Sequence, residues 1–242
     1  MEKSVWRGSL LPLIFCFLVL GLCLSCASTP VVTHTPEEVL IAQQAVIKVM
    51  NIIATAGAES FETQWKALAA NSVPDDATEI LANIDVIPGL RMQLDNYLQA
   101  IQRDVTTIAN QIPTFLTQEI FLNLSIADPY SLIEGNKDSL TRYFASQVSS
   151  DLEAWITLQL SAEELSGMKA WKELVRSYNM YTQSRNLLYP DSTKPLITSH
   201  PVHVVTVTML RQLLEVMKAQ EALLRSMAPA YEDPLIALFG SL

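Results

Sequence analysis

The sequence predicts an all-α protein: a compact multi-helix domain, an irregular helical bundle, that follows a signal peptide and a short tether. Apolar residues recur at the 3.6-residue period of a helix through most of the chain after residue 36. Residues that cap helix N-termini precede several of these stretches. Only residues 202–208 are rich in β-branched side chains. They lead directly into a helical pattern, so we interpret them as the first turns of a helix.

The first 25 residues have the order of a secretory signal. Lys3 and Arg7 precede an apolar run over residues 10–24, which is shorter than the roughly 20 apolar residues that span a bilayer. A small residue and then Cys26 end this run, in an arrangement similar to the bacterial lipobox, in which the cysteine receives a diacylglycerol. Cys23 stands where that signal usually has an aliphatic residue, so an ordinary cleaved signal and an uncleaved membrane segment stay open as alternatives.

Lipidation would make Cys26 the N-terminus of the mature protein. Each buried CH₂ group of an acyl chain such as palmitate contributes about 0.8 kcal/mol, so two or three chains anchor a protein stably. We therefore expect a lipoprotein of the bacterial cell envelope, held at a membrane by covalent lipid, with its body outside the cytoplasm. Ala27, rather than an aspartate, follows the lipidated position and favours the outer over the inner membrane. Cys16 and Cys23 lie in the part removed, so no internal disulfide is expected.

The composition argues against several classes of function. The net charge is −9, which repels nucleic acid and anionic lipid surfaces unless a local basic patch overrides it. The chain has 7 glycines, which are too scattered for a phosphate-binding loop, and it has no nucleophile elbow. We therefore expect no nucleic-acid partner, no cofactor and no enzymatic activity.

The mature chain is predicted to begin with a tether and a long helix. Residues 26–35 are short and polar with no helical period, which predicts a lipidated tether in front of a single helical domain over residues 36–242. Thr35-Pro36-Glu37-Glu38 combines an N-cap residue, a proline at the first helical position and a glutamate three residues after the cap. A helix is predicted from there to Gly57, followed by a second short segment that ends near Asn71.

The middle of the chain predicts a series of further helices. The clearest covers residues 88–112, where the apolar residues keep to one narrow stripe until Pro113. Ser125, Ser149 and Ser161 each precede an apolar period as box-like caps. Candidate breaks between or within these helices are Gly135 and Gly167. About 200 residues of this kind are enough for one compact core, and two packed helical halves divided near Pro113 stay open as an alternative.

A long connector separates the last two predicted helices. Residues 187–201 contain several prolines and no helical period, and this length is unusual for a loop in a compact domain. Such loops often carry function, so this one is our preferred place for contact with a partner. A surface loop with no specific role is the alternative.

Four stretches of the mature chain occur in the order of a known family. They are residues 73–75, residues 125–135, residues 139–155 with Tyr143 and Phe144, and residues 209–240, where Glu221, Arg225 and Leu238-Phe239-Gly240 stand at family positions. These stretches resemble an uncharacterised family of bacterial lipoproteins, catalogued as domain of unknown function 4197. The chain departs from it at Arg211-Gln212, where the family commonly has Asp-Gly, and at Ala219-Gln220, where it has acidic residues. The resemblance implies an all-helical lipoprotein and lends no activity.

Glu221 is an acidic residue on an apolar helix face. A helical wheel at about 100° per residue places it between Leu214, Met217 and Leu224. A carboxylate there must be paired or have a raised pKa. Arg225, one turn on, can pair with it, so the two residues form either a structural ion pair or a polar feature of an internal pocket.

A basic strip is predicted on one helix face, formed by Lys169, Lys172 and Arg176. It is either a partner surface, for lipid head groups or an acidic protein, or simply a solvated helix face. His200 and His203 are the one close histidine pair and could share a metal on a helix. No third ligand stands nearby in the sequence, so we expect no metal site.

Three functions from different classes are consistent with the sequence. The first is a noncatalytic envelope protein that contacts or supports other envelope components through its helical surface. The second is a helical binder or carrier of apolar ligands such as acyl chains, suggested by the apolar content, the 8 methionines and Glu221. The third is an enzyme whose site the sequence alone does not reveal. No feature of the sequence indicates an oligomeric state.

Overall fold

The computed structural model describes residues 34–240, with Ala70 described by its backbone only. The predicted signal peptide, Cys26 and the tether as far as residue 33 lie outside the described residues and stay predictions. Within the described part every regular element is a helix, and no strand occurs there. The prediction of an all-α fold is confirmed.

The α-helices of the described residues are numbered in chain order. They are α1 (Pro36–Leu68), α2 (Thr78–Ala82), α3 (Leu90–Ala109), α4 (Ile112–Phe115), α5 (Pro129–Ile133), α6 (Ser139–Gln147), α7 (Ser149–Leu160), α8 (Ser166–Leu188), α9 (Val202–Met227) and α10 (Pro234–Ala237). A π-helical segment, Leu116–Ile120, follows α4 directly. Short 3-10 helices occur at Ala69–Ser72, Asp75–Ala77, Pro190–Ser192, Ala228–Ala230 and Leu238–Gly240. Residues 202–208 are the first turns of α9, as predicted.

Helix α1 is longer than predicted and passes straight through Gly57. A Cβ atom at this position would lie 2.7 Å from Leu213 Cδ1 and 3.2 Å from the Leu213 carbonyl oxygen. The missing side chain therefore lets α1 and α9 approach closely, and the prediction of a helix stop was wrong. Phe61 and Trp65 lie on the same buried face, so the predicted second segment is the last part of one helix.

By length and composition, α1 could cross a membrane. Its most apolar 18-residue window has a mean hydropathy of 1.6. Eleven residues of the helix are nevertheless buried in the fold, including Val46, Val49 and Ile53. An apolar first helix is compatible with an envelope location, and here it serves as a core helix.

The long helices run alternately up and down the body. Lys48 in the first half of α1 pairs with Asp233, which follows α9. At the other end, Tyr97 near the start of α3 donates a 2.7 Å hydrogen bond to the carbonyl of Ser72, just after α1. We call the end of the body where α1 begins and α9 ends the near pole. The opposite end, where α1 ends and α3 begins, is the far pole.

Helix α3 covers most of the predicted segment 88–112. Gly89 precedes it with φ 80°, a left-handed conformation that glycine adopts without strain. Pro113 does not end this helix but lies in the first turn of α4, where its missing N–H has no cost. Helices α3 and α8 pack along each other. Since Asp104 near the end of α3 binds the start of α8, the two are antiparallel and α8 ends at the far pole.

The structure moves two of the predicted helix starts. The cap of α5 is Asp128, whose side chain accepts a backbone N–H of the first turn at 3.1 Å, and Ser125 has no such role. Helix α8 begins at Ser166, later than the predicted cap at Ser161, because a carboxylate from another helix binds its first turn. Helix α7 does begin at Ser149, but the predicted capping role was wrong, because the Ser149 hydroxyl is buried without a partner among the described residues.

Buried apolar side chains form one connected core within the described residues. It includes Val49 and Ile101 before Pro113, and Phe144 and Leu213 after it. The chain on both sides of Pro113 therefore contributes to a shared core.

Candidate functional site

Glu221 on α9 is fully buried, with 0% of its surface exposed. Its Oε1 atom accepts a hydrogen bond from the Leu140 N–H at 2.9 Å, and its Oε2 atom accepts from both the N–H and the hydroxyl of Thr141 at 2.8 Å. These residues lie in the first turn of α6, where backbone N–H groups have no partner inside the helix. Glu221 therefore caps α6 from another helix, at the end where the helix dipole favours negative charge.

Arg225 lies one turn after Glu221 and binds a second helix end. Its Nη2 and Nε atoms lie 2.9 and 3.0 Å from Oε1 of Glu221. It also donates to the carbonyl of Ile133 at 2.6 Å and to that of Leu132 at 2.7 Å. These carbonyls belong to the last turn of α5, where the helix dipole favours a cation. The ion pair thus joins the end of α5 to the start of α6.

The Arg225 side chain also borders a surface cleft of about 440 Å³. The turn over residues 134–137 and Phe239 line the same cleft. The guanidinium lies over the Phe239 ring, 5.0 Å from its centroid, which adds a cation–π contact. Glu221 is not a lining residue. The cation therefore faces the cleft, while the carboxylate is enclosed in the fold.

Asp104 is a second buried carboxylate, which we did not predict from the sequence. It accepts hydrogen bonds from the Ser166 hydroxyl at 3.0 Å and from the Gly167 N–H at 2.6 Å, so it caps α8 from α3. Gly167 permits this approach because a Cβ there would lie 2.8 Å from Asp104 Oδ2. A signal was present: Asp104 stands three residues after Ile101 and four before Ile108, on the buried stripe of α3.

The predicted basic strip divides into two parts in the structure. Lys172 and Arg176 line a cleft of about 270 Å³ on the surface of α8, whereas Lys169 is exposed and is not a lining residue. Their carboxylate neighbours are distant for ion pairs. Glu163 lies 3.8 Å from Lys172, and Glu173 lies 3.9 Å from Arg176.

Residues 193–200, which we call the strap, run in non-helical conformation along α8. The side-chain amide of Asn179 binds both backbone groups of Ile197, at 2.8 and 2.9 Å. The amide of Asn186 does the same for Lys194, at 2.8 Å in both directions. Asn179 and Asn186 are seven residues apart and therefore lie on one face of α8. The predicted connector is thus an ordered segment. Side-chain amides of α8 bind its backbone N–H and C=O groups, as the backbone of a neighbouring strand would do in a sheet.

The two histidines are separated by the start of α9. His200 ends the strap and lines the cleft with Lys172, whereas His203 lies in the first turn of α9, and both side chains are exposed. Partial burial, and then the nearby Lys172, lower the pKa of His200. Within residues 34–240, no group of three or more His, Cys, Asp or Glu side chains is placed to hold a metal ion.

A third cleft, of about 540 Å³, lies beside the π-helical segment. Phe115 and Trp155 stack there with ring centroids 4.7 Å apart and planes at 15°. Gln111, Gln118 and Glu119 also line it. No periodicity in the sequence marks this cleft, because a π-helix differs from an α-helix by a hydrogen-bond register that residue type does not specify. Such segments occur frequently at functional sites.

The last two residues of α8 and the residue that follows them are large, apolar and exposed. Leu187 is 85% exposed, Leu188 is 75% exposed and Tyr189 is 59% exposed. We call these residues the tip. They lie at the far pole, at the start of the connector that the sequence analysis favoured for partner contact.

Comparison with known proteins adds one finding. A family model described as "Protein of unknown function (DUF4197)" matches residues 42–240, which include every cleft described above. No curated protein matches the chain. No solved structure matches it either.

Proposed function

The chain belongs to the family of proteins of unknown function DUF4197, and we propose that it is a noncatalytic lipoprotein of the bacterial envelope that contacts another envelope component through its tip. The observation that carries this proposal is the exposure of Leu187, Leu188 and Tyr189 side by side. Burying one such leucine against a partner contributes about 1.5–3 kcal/mol. Single exposed apolar residues are common on protein surfaces, but consecutive large ones at the end of a helix favour a contact site.

The position of the tip supports the same proposal. A tether that ends at residue 35 joins the body at the near pole, whereas the tip lies at the far pole. These poles are the two ends of α1, whose 33 residues extend about 50 Å. The tip is therefore distant along the body from the residue to which a tether lipidated at Cys26 would be joined, and Ala27 favours the outer membrane for that anchor.

The use of the acidic side chains supports a noncatalytic role. Among residues 34–240, the buried carboxylates Glu221 and Asp104 are both engaged as helix caps. Glu79 and Asp233 have a lowered pKa, and each owes this first to a hydrogen bond from a lysine on the surface. These carboxyl groups therefore stabilise the fold, and their positions suggest no catalytic role.

Site-specific photocrosslinking in cells tests the contact. A benzophenone amino acid at Met180, which is exposed on α8, should form a discrete adduct. The adduct should disappear when Leu187 and Leu188 are both replaced by Ser. Leu122 is 78% exposed and is not part of the tip, so a probe there is the matched control and should give no such adduct. Recovery of monomer alone, or an adduct that persists without the two leucines, would contradict the proposal.

The anchor has its own test. Metabolic labelling with a palmitate analogue should label the chain, and Cys26→Ala should remove the label and release the protein from the membrane fraction. Labelling that persists in Cys26→Ala would overturn the lipoprotein proposal without affecting the tip.

A second candidate function, binding of apolar ligands, is favoured by the cleft beside Phe115 and Trp155. Its other motivation has weakened, because Glu221 is engaged in capping α6. If acyl chains bind there, native mass spectrometry of the purified chain should show copurified lipid, and Trp155→Ala should reduce its amount. An unliganded mass from membrane-rich lysate would end this candidate.

A further inference from the structure

We propose that the cleft between α8 and the strap is a binding site for a phosphate group. Lys172 and Arg176 line it from α8, and Thr198, Ser199 and His200 line it from the strap. Cationic and hydroxyl donors therefore face one space from two elements. This site is separate from the tip and goes beyond the proposed function.

The two cations come from one helix face and are weakly paired. Lys172 and Arg176 are four residues apart, so their side chains are neighbours on the surface of α8. The contacts of Lys172 with Glu163 and of Arg176 with Glu173 are long, at 3.8 and 3.9 Å, and all four side chains are more than half exposed. Exposed pairs of this kind contribute little, so a bound anion can replace them.

The strap supplies a hydroxyl group whose hydrogen-bonding capacity is unused. The Ser199 Oγ atom is buried and has no hydrogen-bond partner among the described residues. The indole N–H of Trp171 donates to the Ser199 carbonyl at 3.0 Å, which holds this residue against α8. Buried hydroxyls are normally paired, and Ser199 lines the same cleft as the two cations, so its unpaired hydroxyl is a donor that a ligand in the cleft can use.

The donor set suits phosphate better than a carboxylate. Arg176 can bind two phosphate oxygens at once, and Lys172 adds a second permanent positive charge, so the pair balances a dianion. The hydroxyls of Thr198 and Ser199 can donate to further oxygens. Val175 gives the cleft an apolar wall, which suits the carbon part of a phosphate monoester. A soluble phosphate ester and a phospholipid head group share this chemistry.

His200 is a natural reporter of the site. Because Lys172 contributes to its lowered pKa, the lysine acts on the imidazole through space. A phosphate bound between them brings negative charge close to His200 and should raise that pKa.

Titration of the full chain in neutral detergent, followed by histidine NMR signals, tests the proposal. The chain has 3 histidines, so substitution of His34 and of His203 assigns the signal of His200. The probes are inorganic phosphate and soluble dihexanoyl phosphatidic acid, compared with chloride at equal ionic strength. We expect both phosphate probes to shift the His200 signal saturably and chloride to leave it in place.

Three variants make the result specific. The double substitution Lys172→Gln with Arg176→Gln should weaken phosphate binding by roughly tenfold or more. Ser199→Ala should weaken it by roughly threefold, because one hydrogen bond is lost. Lys169→Gln removes a charge from the same helix but not from the cleft, and its affinity should equal that of the original chain. All four positions are at least partly exposed, so these variants should keep the fold, which circular dichroism checks.

The outcomes separate the two sources of phosphate. Phosphatidic acid that binds roughly tenfold more tightly than inorganic phosphate supports the site and identifies a lipid head group as the ligand. Equal binding of the two supports the site and identifies a soluble phosphate compound. The proposal is overturned if chloride shifts the His200 signal as much as phosphate does. It is also overturned if the double variant binds phosphate as tightly as Lys169→Gln does. Neither of these results bears on crosslinking at the tip.

Discussion

The polar cluster around Glu221 and the cleft around Lys172 contain similar side chains but use them differently. Glu221 is enclosed, the Arg225 side chain is only 9% exposed, and between them they bind backbone groups at the ends of two helices at 2.6–2.9 Å. Lys172 and Arg176 are exposed, and their nearest carboxylates lie at 3.8 and 3.9 Å. The polar groups of the first cluster find their hydrogen-bond partners within the protein, so these side chains stabilise the fold. The second has donors left for a ligand.

The largest effect should follow from Glu221→Ala. This change leaves Arg225 and the first turn of α6 without their acceptor, and breaking a buried ion pair costs about 3–5 kcal/mol. Chemical denaturation should show a loss of that size in the free energy of unfolding. Glu215→Ala on the exposed face of the same helix is the control, and its effect should stay within about 0.5 kcal/mol. Equal stability of the two variants would mean that the cluster is not structural.

A smaller loss is expected for Asp104→Ala, because no buried cation is left unpaired. The variant loses a charged acceptor that caps α8, which is worth about 1–3 kcal/mol. Asp95→Ala, at an exposed position of the same helix, should be close to neutral. Urea denaturation of both variants compares the two positions directly. If Asp104→Ala behaved like Asp95→Ala, capping between helices would not explain why α8 begins at Ser166.

Local patterns predicted the fold well because helical periodicity is a property of neighbouring residues. The stripe of α3 and the turns of α9 after Val202 are examples. Gly57 shows the limit. A glycine in a helical pattern is either a stop or a close crossing, and only the partner helix, here α9 at Leu213, decides between them.

The sites were less predictable because they are assembled from distant parts of the chain. The spacing of Glu221 and Arg225 is local, so their ion pair could be expected, but the helix ends that they bind are about 80–90 residues away. Ser199 and Lys172 likewise line one cleft only because Trp171 and Asn179 hold the strap along α8. No pattern in one segment contains that information.

Two buried tyrosines test the difference between a polar group with a hydrogen-bond partner and one without. Tyr97 donates to the Ser72 carbonyl, so Tyr97→Phe should lower the free energy of unfolding by about 1 kcal/mol. The Tyr178 hydroxyl is buried without a partner among the described residues, so Tyr178→Phe should be neutral or slightly stabilising. Thermal and chemical denaturation of both variants measure the difference. A larger loss for Tyr178→Phe would reveal a partner for its hydroxyl, such as a buried water.

The smallest change in stability is expected for Lys172→Gln, which removes one long, exposed ion pair worth at most about 0.5 kcal/mol. Its effect on titration should still be visible. The pKa of His200 is lowered from 6.5, so the fold favours the neutral imidazole. This residue's contribution to stability is therefore complete above pH 6.5 and is lost below it, as the pH falls through the lowered pKa of the folded state. Lys172→Gln removes the electrostatic cause and leaves burial, the larger one. The pKa of His200 from NMR titration should therefore rise part of the way to its ordinary value, whereas Lys169→Gln should not move it. An unchanged pKa of His200 in Lys172→Gln would mean that Lys172 does not lie close to the strap. The geometric basis of the phosphate site would then be lost.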